Sequence, residues 1–354
     1  MKKIYLLAVS LFCLAAVYVN ADTTVLSFSP GSYIERRLAE SPEIAAQAEL
    51  VTNTELALEE LRISDSSEFD LAAADLDVQV ERAKLSELSS ATVTDALADF
   101  ASLYFAGRNS AHATTALAIA AEKEAAAKNQ AAEGVKNELD YYGEYLAYRN
   151  AEIAKLSADY AYDNALRRFM RRVPDSVHTE IRLIDTDVQL PGSLPYSAEQ
   201  AFERAKSISS SFLRAAGNAD IQIRRYAVYS ELETTAKTLR NLKTSEQAAI
   251  RGRTAQANAL EDRAWALIQQ LHVLESKAAV GTEQLRVAEL RWEERKRGFS
   301  FGVVTERQLR EHELAREREI DAQKRKGYDL LTHYLRTIAF MGGDPLSEGD
   351  ALLN

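Results

Sequence analysis

The apolar residues in the second half of the chain follow a heptad repeat. Over residues 260–292 two seams recur at this spacing: Ala264, Leu271, Ala278, Leu285 and Trp292, and beside them Leu260, Leu267, Leu274 and Ala288. Gly281 leaves a gap in the second seam. Apolar residues at these positions over about four heptads are typical of helices in left-handed coiled packing. The pattern therefore predicts one long helix.

The first half of the chain is richer in alanine, from Ala111 to Ala132. Small side chains allow helix axes to approach closely, so we expect this stretch in a tightly packed layer of helices. We expect the segment Phe69–Glu133, which contains this alanine-rich stretch, to be a single helix. At 1.5 Å per residue such a helix would be about 98 Å long, far longer than a compact globule requires.

A tight reversal is predicted in the segment RGFSFGVVTERQL, which begins at residue 297. Gly298 and Gly302 are both expected to supply positive φ, which glycine adopts at no steric cost. Thr305 precedes Gln308 by three positions, which is the spacing of a capping box at the start of a new helix. A near-copy of the turn, GVKNE, begins at Gly134. Each turn is expected to be the tip of a helical hairpin.

The two turns belong to an internal repeat. Equivalent residues of the two copies have the same separation in sequence as Gly134 and Gly302, and this separation is called the offset. Ser29 and Ser197 stand at the same offset. Further pairs at this offset are Ile34 with Phe202, Glu35 with Glu203, Arg36 with Arg204, and Ser41 with Ser209. We therefore predict an all-α fold of two tandem repeats of a long antiparallel coiled-coil hairpin.

The repeat divides the chain into five predicted parts. These are a signal peptide at 1–21, repeat 1 at 22–173 with its tip near 134–137, a linker at 174–195, repeat 2 at 196–346 with its tip near 298–305, and a C-terminal tail at 347–354. Within the linker, Ile181–Ile184 and Val188–Leu190 have the character of short strands. Neither repeat can bury its apolar seams alone, so the linker is expected to join parts of one unit.

The N-terminus has the features of an export signal. Lys2 and Lys3 precede the apolar run Ile4–Val19, and Val19-Asn20-Ala21 is a small-residue cleavage site. An uncleaved anchor is one alternative, and a lipid on Cys13 is another, although Leu11-Phe12 are bulky for a lipobox. Cys13 is the single cysteine, so the exported chain is expected to fold without disulfides.

Composition and charge narrow the classes of function. The 354 residues contain 14 Gly and 6 Pro, which favours long elements over a many-stranded β fold. The net charge of −10 argues against nucleic acid as a partner, because nucleic-acid binders carry basic stripes.

No combination of residues indicates catalysis or a cofactor. The five histidines do not form a metal-binding motif such as HExxH: His112, His178, His272, His312 and His333. Nucleophile-elbow, phosphate-loop and dinucleotide motifs are absent from the sequence. We expect a protein that is not an enzyme and holds no cofactor or metal.

Two surfaces are candidates for function, each with a structural alternative. The segment Glu306–Lys326 is a dense run of both charges, either the solvent-facing flank of a coiled coil or a polar lining at the tip of a hollow helical tube. Tyr141, Tyr145 and Tyr148 share one helical face just after the first tip, as core packing or as a docking face for a partner hairpin; Tyr142 lies beside them.

Several segments in this order resemble the TolC family of outer-membrane efflux proteins. Ser197-Ala198-Glu199-Gln200-Ala201 is similar to the opening of that family's repeat. Arg291-Trp292 followed by the glycine turn, Thr305 and Leu309 is similar to its tip. The aromatic and leucine run Tyr328–Leu335 before Gly343-Asp344-Pro345 resembles its return helix. The likeness covers most of residues 26–346.

The resemblance implies a protomer of a TolC-like α-helical tube. It implies a trimer that works with a periplasmic adaptor and an inner-membrane pump, as the duct of an efflux or secretion system. In the family the tips meet the adaptor, which implies contacts at these residues: Gly134, Asn137, Gly298, Gly302, Thr305 and Arg307.

The sequence departs from the family between the first two long helices of each repeat. The family has a membrane-spanning β-hairpin there, whereas Leu61–Val80 and Tyr229–Ile250 show little of the alternation over about 9–11 residues that such strands need. We expect transmembrane strands to be absent or vestigial. The chain is then an exported, periplasmic, outer-membrane-associated conduit component, with a non-transporting coiled-coil scaffold or adaptor as the alternative.

Overall fold

The computed structural model of the chain describes residues 25–64, 66–173, 180–184, 189, 191–192, 194, 196–232 and 234–347. In chain order the elements are β1 (Val25–Phe28), α1 (Pro30–Ala39), α2 (Pro42–Ile63), α3 (Glu68–Ala132), α4 (Glu138–Arg171), β2 (Glu180–Leu183), α5 (Ala198–Ala205), α6 (Ser210–Glu231), α7 (Ala236–Ser300) and α8 (Glu306–Phe340). The predicted signal peptide at 1–21, Cys13, His178, most of Val188–Leu190 and nearly all of the C-terminal tail lie outside the described residues.

The two tandem helical-hairpin repeats are confirmed, and the starts of their equivalent helices all have the same offset. Helices α2 and α6 each have 22 residues, and α3 and α7 each have 65. The helix predicted over Phe69–Glu133 is α3, which begins and ends one residue earlier.

Local capping explains why the repeats begin their helices at equivalent positions. The N-cap side chains accept a hydrogen bond from the backbone in four matched pairs: Ser29 and Ser197, Ser41 and Ser209, Ser67 and Thr235, and Asn137 and Thr305. Each cap satisfies a backbone N–H that would otherwise lack a partner and contributes about 1 kcal/mol. The helix starts are therefore set by side chains at fixed positions of the repeat.

The helices pack side by side in one layer, and the helices that accompany α3 and α7 differ between the two ends of the layer. Where α3 and α7 begin, they pack with α2 and α6 in the order α2–α3–α6–α7. Toward their C-terminal ends the order is α4–α3–α8–α7. Helix α3 is therefore in the middle of the layer throughout, whereas α7 is at an edge.

The largest core lies where β1, α1, α3, α4 and α8 meet. The rings of Tyr33 and Phe169 stack with their centroids 4.2 Å apart, and Phe28 meets both rings edge-on. Across the layer, the ring of Phe100 stacks on that of Tyr328. Burial, with a smaller contribution from Asp99, raises the pKa of Tyr33 to about 12. This core fastens α8 of the second repeat to α3 of the first.

The predicted strand at Ile181–Ile184 forms one residue earlier, as β2. It pairs in parallel with β1, with Val25 opposite Glu180 and Phe28 opposite Leu183. The linker after the first repeat is thereby held against the start of that repeat.

The heptad seams of α7 are confirmed, and α8 fills the gap at Gly281. A Cβ at Gly281 would meet Gln323 Oε1 and would lie 2.7 Å from Lys326 Cδ. The amide of Gln323 donates to the carbonyl oxygen of Ala278 at 3.2 Å and to Thr282 Oγ1 at 2.9 Å. The missing side chain thus leaves room for a polar clamp between α7 and α8.

Both segments in which transmembrane strands were sought are helical. Helix α2 ends at Ile63 and α3 begins at Glu68, while α6 ends at Glu231 and α7 begins at Ala236. In the described part of the chain, no helix combines the length and the apolar character needed to cross a membrane.

Candidate functional site: the tips and the exposed helix faces

The first tip is a glycine turn between α3 and α4. Gly134 has φ +73°, and its N–H donates to the carbonyl oxygen of Ala131 at 3.1 Å. Asn137 then caps α4 by accepting a hydrogen bond from the backbone N–H of Asp140 at 2.8 Å. A residue with a side chain is strained at this φ, so the turn depends on glycine.

The second tip repeats this geometry at Gly302, which also has φ +73°. Thr305 forms the predicted capping box, because its N–H donates to Gln308 Oε1 at 2.9 Å and its hydroxyl accepts from the N–H of Gln308 at 3.3 Å. Arg307 is half-buried in the first turn of α8.

The expectation of positive φ at Gly298 is wrong. Gly298 lies inside α7, and the described glycines with positive φ are Gly134, Gly302 and Gly342. A Cβ at Gly298 would lie 2.8 Å from Val304 Cγ2. The absence of a side chain at Gly298 therefore makes room for the buried Val304, which closes the underside of the tip.

The two tips lie at the same end of the molecule. Helices α3 and α8 run antiparallel, with an ion pair between Arg310 and Glu122 and another between Lys123 and Glu311 at 3.0 Å. These pairs are within about two or three helical turns of both glycines.

The tips expose large apolar side chains at their outermost positions, next to charged residues such as Lys136. Phe301 is 80% exposed, Val303 is 79% exposed and Leu139 is 80% exposed. Val135 of the first tip is also exposed. Large apolar groups together at an exposed end are typical of a surface that contacts another molecule.

The charged run Glu306–Lys326 also takes part in packing that neither alternative considered from the sequence had included. Much of it forms the seam between α3 and α8. Arg108 donates from Nε to Asp321 Oδ2 at 2.8 Å and from a terminal nitrogen to Glu317 at 2.9 Å. His112 Nε2 lies 2.5 Å from Asp321 Oδ2. Burial opposes the charge of Arg108, but these hydrogen bonds outweigh it and raise its pKa.

This network joins residues that are far apart in the chain, which is why sequence analysis missed it. The available signal was spacing: Arg108 and His112 share a helical face, as do Glu317 and Asp321. Spacing alone did not show that the two faces meet.

The tyrosines after the first tip divide between the two roles considered for them. Tyr141 is half-buried, and desolvation together with a hydrogen bond with Glu124 of α3 raises its pKa. Tyr148 is half-buried and donates to Glu152 Oε1 at 2.7 Å. Tyr145 and Tyr142 are exposed. The group thus combines packing on α3 with an outward-facing surface.

The outer face of α4 carries an apolar heptad stripe that sequence analysis missed. Six exposed side chains recur at heptad positions: Leu139, Tyr142, Leu146, Ile153, Leu156 and Tyr160. On the opposite edge of the layer, α7 exposes a second stripe: Val273, Val280, Val287 and Leu290. We call these the α4 stripe and the α7 stripe.

Comparison by structure identifies the fold. A membrane protein from Pseudomonas aeruginosa superposes with a TM-score of 0.64 at 10% identity, covering 91% of this chain and 92% of the other. The outer-membrane channel OprN gives 0.61 at 12% identity, with 90% of each chain covered. The outer membrane protein VceC from Vibrio cholerae gives 0.55 at 13% identity, covering 88% of this chain and 95% of that one.

The chain therefore has the fold of the TolC-family outer-membrane channels, and the predicted resemblance is confirmed at the level of fold. Comparison by sequence adds nothing to this, since neither the known protein families nor the curated proteins give a match.

Proposed function

We propose that this protein is the conduit component of an efflux or secretion system, assembled from several copies into a helical tube. The observation that carries the proposal is the pair of exposed stripes on opposite edges of one layer. A layer with an apolar α4 stripe at one edge and an apolar α7 stripe at the other can bury both by placing copies side by side.

The stripes also have matching positions along the layer. Ile153 follows Gly134 by about five helical turns, and Val280 precedes Gly302 by about six. Because both glycines are at the same end, these side chains lie at similar distances from the tips. Closing such head-to-tail contacts into a ring gives a tube, and we propose the trimer that the resemblance implies.

The solved channels of this fold are described as outer-membrane channels, which supports transport rather than catalysis and supports association with the outer membrane. We propose that the chain is exported, that it lies in the periplasm against the outer membrane, and that its tips contact a periplasmic adaptor of an inner-membrane pump. The exposed Phe301, Val303 and Leu139 are the contacts expected to matter most.

The assembly is tested by sedimentation velocity on the purified exported chain. We expect a trimer for the unaltered protein and a monomer for the Ile153→Glu/Val280→Glu double variant, because a charge in each stripe opposes its burial. Ala147→Glu is the matched control, since it adds a charge at an exposed position of α4 whose neighbours three and four residues away are not part of the stripe. A monomer at all concentrations, or a trimer that Ile153→Glu/Val280→Glu leaves intact, contradicts the proposal.

The second candidate function is a non-transporting scaffold or adaptor of the envelope. It is favoured by the short connections after α2 and α6, where only a few residues join the helices in each repeat. Membrane fractionation separates the two candidates. A conduit component is expected to sediment with the outer membrane, whereas a scaffold is expected to be released by moderate salt.

A further inference from the structure

A cleft between α3, α4 and α8 contains unpaired arginines on an otherwise acidic protein. Its volume is about 450 Å³, and its lining includes Arg168 from α4 and Arg318 and Arg325 from α8. All three side chains are exposed, and none has a carboxylate within ion-pair distance among the described residues. The volume is within the range of small-molecule sites, roughly 300–1,000 Å³.

The acidic group in this cleft is already neutralised. Asp321 accepts hydrogen bonds from Arg108 and contacts His112, and Arg108 also pairs with Glu317. Arg168 and Arg318 therefore have no counter-charge supplied by the cleft itself, whereas Arg325 interacts electrostatically with Asp329, one helical turn further along α8. Arg318 and Arg325 are one heptad apart, so they project from the same face of α8.

The floor between the arginines is apolar. Phe105 is buried at its base, and Ala161, Ala165 and Ala322 form the walls. The guanidinium of Arg325 also lies over the Phe105 ring, 6.0 Å from its centroid. A ligand in this cleft would meet an apolar surface on one side and planar cations at the rim.

We propose that this cleft is a binding site for an amphipathic organic anion, an aromatic or aliphatic carboxylate whose acid group pairs with Arg168, Arg318 and Arg325. Guanidinium groups bind carboxylates through two parallel hydrogen bonds, which neither water nor a halide provides in that geometry. The apolar body of the ligand would cover Phe105 and the alanines. Every lining residue belongs to one chain, so the site does not need assembly in order to form.

The test is isothermal titration calorimetry on the purified exported chain at low salt, with 2-naphthoate as the probe. We expect one site per chain and an affinity that falls as salt is raised. The neutral 2-naphthamide is expected to bind at least about tenfold more weakly, because it lacks the charge-assisted hydrogen bonds. Inorganic phosphate is expected to bind about as weakly as the amide, because it cannot use the apolar floor.

Arg318→Gln/Arg325→Gln is expected to lower the affinity for naphthoate about tenfold or more. Arg291→Gln/Arg295→Gln is the matched control, since it removes two exposed guanidinium groups from α7 and is expected to leave binding unchanged. Circular dichroism of each variant reports whether its helices persist.

Equal affinity for naphthoate and naphthamide overturns the proposal, as does an equal loss in both double variants. Phosphate binding as tightly as naphthoate overturns the amphipathic ligand class. None of these outcomes depends on whether the chain forms a trimer, so the site and the proposed conduit can fail independently.

Discussion

The two repeats share one skeleton but place equivalent residues in different surroundings. Leu97 of α3 and Trp265 of α7 are equivalent positions, separated by the same offset as the two tip glycines. Leu97 is 0% exposed, whereas Trp265 is 43% exposed. The reason is the position of the helix in the layer: α3 has neighbours on both sides, and α7 forms an edge. Duplication therefore reproduces the caps and helix lengths, while packing depends on which neighbours each copy meets.

The largest expected effect comes from truncating this pair. Leu97→Ala removes a fully buried side chain and is expected to lower the free energy of unfolding by about 3 kcal/mol. Trp265→Ala is expected to cost less than half as much in the monomer, because the indole is already in partial contact with water. Urea unfolding followed by circular dichroism measures both. Equal losses would mean that edge and centre do not differ.

The tips test what the repeats share. Val in place of Gly134 or Gly302 is expected to destabilise each tip by about 1–2 kcal/mol, because β-branched residues are strained at positive φ. Gly143→Ala is the control, since Gly143 is helical with open space around it, and there the change is expected to stabilise by up to about 1 kcal/mol. Thermal unfolding reports both. A neutral Gly302→Val would contradict the turn geometry.

Gln323 and Lys155 are equivalent residues of the two repeats, but Gln323 bonds to a neighbouring helix whereas Lys155 pairs within its own helix. Gln323→Ala removes two hydrogen bonds to α7 and opens space beside Gly281, with an expected loss of about 1–2 kcal/mol. Lys155→Ala removes an ion pair with Asp159 within α4 and is expected to cost about 0.5 kcal/mol or less. Urea unfolding of the two variants in parallel checks the difference; a larger loss for Lys155→Ala would reverse the account.

The smallest expected effect is the pH dependence contributed by a histidine of the second repeat whose counterpart in the first repeat cannot titrate. His333 occupies the position of Ala165, and its Nε2 donates to the carbonyl oxygen of Leu267 at 2.8 Å. Burial lowers the pKa of His333 below 6.5, against the opposing effect of that hydrogen bond. The folded state therefore binds this proton less readily than the unfolded state, so stability is full above about pH 6.5 and falls as the pH drops through the lowered pKa.

His333→Gln is expected to reduce the loss of stability between about pH 7 and pH 5, measured by urea unfolding. His272→Gln changes an exposed histidine of α7 and should leave the pH profile as it was. If the two variants have the same profile, His333 is not the group responsible.

The sequence was sufficient for the skeleton because caps, glycine turns and heptads are local signals. Gly302 and Thr305 indicated the end of α7 and the start of α8 within a few residues of where the structure has them. The order of the helices across the layer could not be predicted from these local signals, because it depends on contacts between distant parts of the chain. The contact between Arg108 and Asp321 depends on α3 meeting α8, and the exposure of the α4 stripe depends on α4 being an edge. Gly298 was wrongly expected to have positive φ. Its actual role is to leave room for Val304, and that contact exists only in the folded tip, so the sequence alone did not reveal it.

The central claim is that the two edges of the layer pair between copies, and interchain disulfide formation tests it most directly. Cys13 is the single cysteine of the sequence and lies in the predicted signal peptide, so the chain expressed without residues 1–21 and carrying Ile153→Cys/Val280→Cys has a defined pair. We expect oxidation to link chains into dimers and trimers, while Ile153→Cys/Asn258→Cys, whose second site is farther from the tip, stays mostly unlinked. Equal cross-linking of the two pairs, or none in the first, would contradict the account.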